Sequence, residues 1–123
     1  MIVWDKKHRG MDQADCEIAW TNLKGQSRMF EYTWNGMLQG NMKNRETRIH
    51  PTQKPVALYD WIFKNYAKPG FKILDTHLGS GSSRSAAYNA GLDFIGFEID
   101  RDYFEAQEKR FAEATAQIDF FHL

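Results

Sequence analysis

The chain has 123 residues and a mass of 14.4 kDa. That length fits one domain of the usual ~100–150 residues and excludes a multidomain machine. With 42% hydrophobic residues, among them nine Phe, five Tyr and four Trp, there is bulk enough for a core, and 16 basic residues balancing 16 acidic ones exclude a uniformly basic surface.

The balance hides a gradient. Residues 1–54 carry nine Lys/Arg and six Asp/Glu, and residues 55–123 carry seven and ten. The excess of the first part equals that of Asn41–Lys54 alone, where Lys43, Arg45, Arg48 and Lys54 stand against Glu46. Cys16, the single cysteine, has no partner for a disulfide and no cluster for zinc, and reads as a buried or tolerated thiol. No apolar run approaches the ~18 residues of a membrane span and no signal peptide is visible, so a soluble, reducing, intracellular setting is expected.

In chain order, the first third reads as short strands with turns. Ile2-Val3-Trp4 is an apolar run stopped by Asp5-Lys6-Lys7. Glu17–Leu23 is β-branched and aromatic and stops at Lys24-Gly25. In Arg28–Trp34, alternation puts Phe30, Tyr32 and Trp34 on one face and Met29, Glu31 and Thr33 on the other. Residues 35–48 show no period and are expected to form a loop, long enough to be functional or mobile. Pro55–Ala67 is expected to be a helix, with Pro55 at its first position, Thr52 near its start, and Leu58, Ile62, Tyr66 and Trp61 on its apolar side.

From Phe71 the pattern changes to strand, helix, strand, helix. Phe71–Asp75 is a buried-type strand, Thr76–Gly81 a turn, and Ser82–Ala90 a small-residue helix closed by Gly91. Phe94–Phe97 is the second strand. Asp100 caps a last helix over Arg101–Ala116 that buries Tyr103, Phe111 and Ala114, and Ile118–Phe121 is expected to be a short strand. Strand–helix–strand order implies a right-handed βαβ unit in a parallel sheet.

The stretch Ile73–Ser83 carries the chemical signal. A strand runs through Gly79 and Gly81 into a helix N-terminus, at the sheet edge where open α/β folds bind ligands. Glu98 ends the next strand, 19 residues after Gly79, where an acid can accept hydrogen bonds from ribose hydroxyls. Asp75 beside the turn disfavours a pyrophosphate and favours a ligand carrying ammonium or sulfonium charge. The third glycine of a dinucleotide fingerprint is replaced by Arg84, and no Gly-Lys-Ser/Thr follows. A nucleoside joined to a cationic amino acid describes S-adenosylmethionine. The bland alternative is an ordinary strand–helix turn with Glu98 as surface charge.

The block His50-Pro51-Thr52-Gln53-Lys54-Pro55, then the Asp75–Ser82 loop, then Phe94–Asp100, stands in one order across about half the chain. In that order it resembles the amino-methylating (adenine-N6 or cytosine-N4) DNA methyltransferases, in the permuted class whose cofactor-binding half lies C-terminal. Phage-type adenine-specific enzymes are the nearest likeness, with weaker likeness at Trp4-Asp5-Lys6 and Glu17–Asn22.

The resemblance implies a Rossmann-like α/β methyltransferase sheet, S-adenosylmethionine as cofactor and double-stranded DNA as partner, in a bacterial or phage-encoded cytoplasmic protein. It implies that Asp75, Gly79, Ser80 and Gly81 line the methionine part of the cofactor. Glu98 takes the ribose hydroxyls, and Thr52 and Lys54 hold the methionine carboxylate. His77 departs from the family's Asp-Pro-Phe loop and partly substitutes for its aromatic, without a catalytic role. DNA contacts fall on the basic loop, at Lys43, Arg45 and Arg48.

The family's Asp-Pro-Pro-Tyr-like block is absent. Pro51, Pro55 and Pro69 are the chain's three prolines and no two are adjacent. That block holds the target amine and stacks on a flipped-out base, so no catalytic residue is assigned, Asp5 included. The strand bearing it is central in the family sheet, so the sheet is expected to be incomplete. The chain then reads as one domain over 1–123, the C-terminal part of a longer protein or one that works with a partner chain. Two other readings are a non-catalytic DNA- or partner-binding remnant with a vestigial cleft, and a methyltransferase for another substrate, against which the His50–Pro55 block argues.

Overall fold

The computed structural model describes residues 1–10, 13–35 and 37–121, with side chains through residue 116. They group into two compact units, Met1–Glu46 and Thr47–Leu123.

The first unit is built on β1 (Ile2–Asp5), which lies between β2 (Cys16–Ala19) and β3 (Arg28–Glu31). β1 pairs antiparallel with β2, Ile2 opposite Ala19, and parallel with β3, Ile2 opposite Arg28. Its central place explains its continuous apolar run, and Ile2 and Trp4 are buried. The indole N–H of Trp4 donates to the carbonyl of Tyr32 at 3.1 Å. The buried Asp5 carboxylate ends the strand. It accepts from the Lys7 N–H at 2.8 Å and from Arg9 Nη2 at 2.7 Å, which steadies the left-handed turn at Lys7 (φ 58°).

Phe30 and Tyr32 are half-buried and stacked 5.7 Å apart, Trp34 is buried, and Met29 and Glu31 are exposed, as the alternation predicts. The strands themselves are shorter than expected. β2 stops at Ala19 rather than Leu23, and Arg28–Trp34 divides into β3 and β4 (Trp34–Asn35). β4 pairs with β5 (Leu38–Gln39), so a hairpin occupies the start of the expected 35–48 loop. Two residues per strand are too few to show a period. Gly36 lies outside the described residues. From β5, the buried Gln39 amide copies a strand pairing with the chain that follows: Nε2 donates to the Glu46 carbonyl at 3.0 Å and Oε1 accepts from its N–H at 2.8 Å.

The second unit opens with a braced turn. Gln53 is buried, and its Oε1 accepts from the Ile49 N–H at 2.8 Å while its Nε2 donates to the Thr47 carbonyl at 3.2 Å. Helix α1 (Val56–Tyr66) follows, with Pro55 one position earlier than expected, at the N-cap. Leu58 is its buried residue. α1 packs on α2 (Ser82–Asn89), whose Ala86 and Ala87 are fully buried and allow close approach.

Strand β6 (Lys72–Asp75) pairs parallel with β7 (Asp93–Gly96), Lys72 opposite Asp93 and Leu74 opposite Ile95. α2 is the crossover between them and packs on β7. Among the described residues no third strand joins this pair, so both its edges are open. One face, with Ile73, Asp75 and Phe94, is half-buried. On the other, Leu74, Ile95 and Phe97 are 63%, 62% and 59% exposed.

The last helix, α3 (Arg101–Phe121), is capped as expected, the Asp100 carboxylate accepting from the Tyr103 N–H at 3.0 Å. It departs from expectation in two ways. It continues through Ile118–Phe121, where a strand was expected, because no breaker interrupts the Ala- and Glu-rich stretch before it and helix propagation is cheap once begun. Tyr103 and Phe111 are only half-buried and Ala114 is exposed. The packed part of α3 is its first turns, where Gln107 accepts from Arg84 of α2 and Arg110 donates to the Ser80 carbonyl in the turn before it, and Ala114 lies beyond that reach. Among the described residues no helix is long and apolar enough to cross a membrane.

Gly91 closes α2 as predicted. The Leu92 N–H donates to the Ala87 carbonyl at 2.9 Å and the Gly91 N–H to that of Tyr88 at 3.1 Å, a Schellman pair with Gly91 left-handed (φ 69°). A Cβ at Gly91 meets nothing within 4 Å, so the cost of Gly91→Ala is conformational only. We expect a loss of about 1–2 kcal/mol, read as a lower urea midpoint with an unchanged m-value.

Candidate functional site

The carboxyl edge of the β6–β7 pair opens into a cleft of about 390 Å³ within the second unit, at the lower end of the ~300–1,000 Å³ that small-molecule sites span. Parallel strands deliver their following turns to the same edge, so the Thr76–Gly81 turn and the Phe97–Asp100 turn stand side by side. Glu98 ties them: Oε1 accepts from the Gly79 N–H at 2.8 Å and Oε2 from the Asp100 N–H at 2.9 Å. These donors, that of Asp100 first, hold its carboxyl below the ordinary carboxylate value, and the nearby His50 acts in the same direction. An ionised carboxylate has about four acceptor positions, so lone pairs remain for hydroxyls of a ligand.

Asp75 is likewise committed. Oδ1 accepts from the His77 N–H at 2.9 Å and Oδ2 from the Ser83 hydroxyl at 2.5 Å. It holds the turn against α2. Gly81 is the N-cap of α2, left-handed (φ 78°) and buried, and a Cβ there would stand 3.1 Å from Gln107 Oε1.

The other wall comes from the segment before α1. The His50 ring packs on Tyr103 at 4.3 Å between centroids, and its Nδ1 accepts from the Thr52 N–H at 3.1 Å. Ser82, at the first turn of α2, donates its hydroxyl to the Lys54 carbonyl at 2.6 Å. The Thr47–Pro55 stretch is thereby fixed to the start of α2.

Of the residues expected at a cofactor site, Thr52, Lys54, His77, Gly79, Ser80 and Glu98 line the cleft; Asp75 and Gly81 are not among its lining residues. His50, Gln53, Tyr59, Leu78 and Ser82 also line it and were not singled out. For His50 and Gln53 the signal was present, in the block they share with Thr52 and Lys54. His77 is exposed, its Nδ1 2.9 Å from the Thr76 hydroxyl. Lys43 and Arg45 are exposed on the first unit and Arg48 is exposed on the second. Cys16 is a half-buried free thiol on β2.

The geometry suits a ligand with vicinal hydroxyls at Glu98 and a charged, hydrogen-bonding end near Lys54 and Ser80. Comparison with known proteins points the same way. A family model described as DNA methylase matches residues 1–109. YubD of Escherichia coli (strain K12), a protein named as a methylase, is 37% identical over 65 residues, covering 53% of this chain and 29% of YubD. The Type II methyltransferase M2.DpnII of Streptococcus pneumoniae is 35% identical over 77 residues, 63% of this chain and 28% of that protein. The matched stretches thus cover less than a third of either curated relative. Among solved structures, the S-adenosylmethionine complex of M1.HpyAVI superposes with a TM-score of 0.59 at 23% identity, covering 89% of this chain and 59% of that one. A second structure of M1.HpyAVI gives 0.56 at 23% identity, covering 89% and 57%. At that identity the likeness is one of fold.

Because the folded state lowers the Glu98 pKa, the order that its carboxylate imposes is present above the ordinary value of about 4.3 and is lost as pH falls through the lower folded value. The Gly79 and Asp100 amide resonances are expected to titrate together with a midpoint below about 4.3. Glu98→Gln should abolish that titration, read by two-dimensional NMR.

Proposed function

The chain belongs to the DNA methylase family that modifies exocyclic amino groups, and on that premise we propose that it supplies the cofactor-binding part of an S-adenosylmethionine-dependent DNA methyltransferase acting on adenine N6. Methylases of this family draw on S-adenosylmethionine. The observation that carries the reading is the Glu98 carboxylate held at the rim of a cleft that Lys54 and Ser80 also line. The choice of adenine rests on likeness to phage-type adenine enzymes.

The cofactor, when bound, supplies a sulfonium-activated methyl group to an incoming amine. Under this proposal Glu98 accepts hydrogen bonds from the ribose hydroxyls. The Lys54 ammonium and Thr52 meet the methionine carboxylate. Asp75 works from behind, through the His77 N–H and the Ser83 hydroxyl that it accepts. Holding both partners in place is the main service such a site performs, since alignment replaces a bimolecular encounter.

We assign no catalytic residue within the chain. The Asp5 carboxylate is engaged by Arg9 and the Lys7 N–H, which argues against it as a substitute acceptor. We propose instead that the target amine is received by a strand from outside the chain, from a longer polypeptide or a partner, bearing the Asp-Pro-Pro-Tyr-like block. The two open edges of β6–β7 and the exposed Leu74, Ile95 and Phe97 support this, because parallel sheets are ordinarily covered on both faces. Lys43, Arg45 and Arg48 are proposed to contact DNA phosphates. The second reading, a non-catalytic DNA- or partner-binding remnant, is favoured by one observation, the absence of adjacent prolines.

Titration calorimetry with S-adenosylhomocysteine should show one site, weakened about 10–100-fold by Asp75→Ala; no heat with the intact chain would refute the cofactor reading. Methyl transfer to DNA is expected only when a polypeptide carrying the missing block is added, and its absence even then would select the remnant. Arg45→Ala with Arg48→Ala should weaken DNA binding and flatten its salt dependence while leaving S-adenosylhomocysteine affinity nearly unchanged.

A further inference from the structure

Behind the cleft, α3 sends polar side chains into the turn before α2. Arg110 Nη1 donates to the Ser80 carbonyl at 2.9 Å and to the Ser82 hydroxyl oxygen at 3.1 Å. Ser82 Oγ stands 2.6 Å from the Lys54 carbonyl and 3.1 Å from Ser80 Oγ. Ser80 and Ser82 are 5% and 3% exposed, so these groups have little water to turn to.

The directions of these bonds follow from chemistry. A guanidinium only donates and a carbonyl only accepts. Ser82 has one proton, and the Lys54 carbonyl takes it. Its lone pairs then receive Arg110 on one side and can receive only a donor on the other. Ser80 must therefore give its proton to Ser82. What Ser80 has left to offer the cleft that it lines is acceptor lone pairs, not a proton.

We propose that Ser82, with its proton committed to the Lys54 carbonyl and its oxygen braced by Arg110, is a positioning residue that makes Ser80 a hydrogen-bond acceptor for the ammonium group of the cofactor's amino-acid end. The proposal rests on the cofactor reading above and deepens it. A hydroxyl free to rotate answers an anion or a cation equally, whereas one whose proton is pinned prefers a cation. The relay thereby separates the two ends of an amino acid, the carboxylate at Lys54 and the ammonium at Ser80. Nothing in the local sequence hints at it, since Arg110 is 28 and 30 residues from its two partners.

The test compares two ligands on the intact chain: S-adenosylhomocysteine, which carries the amino-acid end, and 5′-methylthioadenosine, which lacks it. Ser82→Ala, which frees the Ser80 proton, is expected to lose about tenfold or more in affinity for the first and little for the second. Ser82→Thr, which keeps the hydroxyl, should recover part of the loss. Ser80→Ala, which removes the acceptor itself, should give the same split, and it stands in if Ser82→Ala does not fold. Equal losses for both ligands, or none for either, would overturn the relay while leaving the cofactor reading intact. Failure of the unaltered chain to bind either ligand would instead remove the cofactor reading, and the relay's role with it.

Discussion

One carboxylate closes the second unit's working edge. Two parallel strands give no hairpin to join their ends, and their backbone pairing runs only as far as the Phe97 N–H on the Asp75 carbonyl and the Leu78 N–H on the Phe97 carbonyl. Beyond that point Glu98 takes over, accepting from the Gly79 N–H with one oxygen and from the Asp100 N–H with the other. Each donor is a charge-assisted partner, stronger than a neutral one. The helix starts that follow, at Ser82 and Arg101, leave from turns braced in this way, and the cleft opens beside them.

The same unit carries an exposed apolar face on its other side. Leu74, Ile95 and Phe97 lie on a face that water reaches, and burying a side chain of that kind contributes about 1.5–3 kcal/mol. A parallel pair with open edges and an apolar back is poorly stable alone. The site edge is thus well supplied with hydrogen bonds while the face behind it is exposed. Under the function proposed above, that face is where the additional polypeptide would pack.

Much of this was legible in the sequence where the signal is local. The Asp100 cap, the Gly91 stop, the two strands around α2 and the gathering of Thr52, Lys54 and Glu98 on one cleft all follow from short patterns with a fixed physical cause. The β4–β5 hairpin escaped because two-residue strands have no period. Ala114 was misjudged because helical spacing identifies a face but not how far a neighbour extends along it. The terminal strand at Ile118–Phe121 was misjudged because intrinsic strand preference is overridden when a helix arrives already formed. Asp75, expected at the cofactor, is not among the residues lining the cleft and spends its oxygens on the His77 N–H and the Ser83 hydroxyl, a detail that depends on where two oxygens point. Gln107, buried, and Arg110 were invisible because their partners are tens of residues away.

The Gln53 amide has a consequence for rates. By bonding to both Thr47 and Ile49 it spends the conformational entropy of its turn during folding, before any ligand arrives. A ligand entering the cleft meets a wall already in shape and has no loop to order. Its arrival is then governed by diffusion and orientation, and differences in affinity among related ligands should fall on how long each one stays.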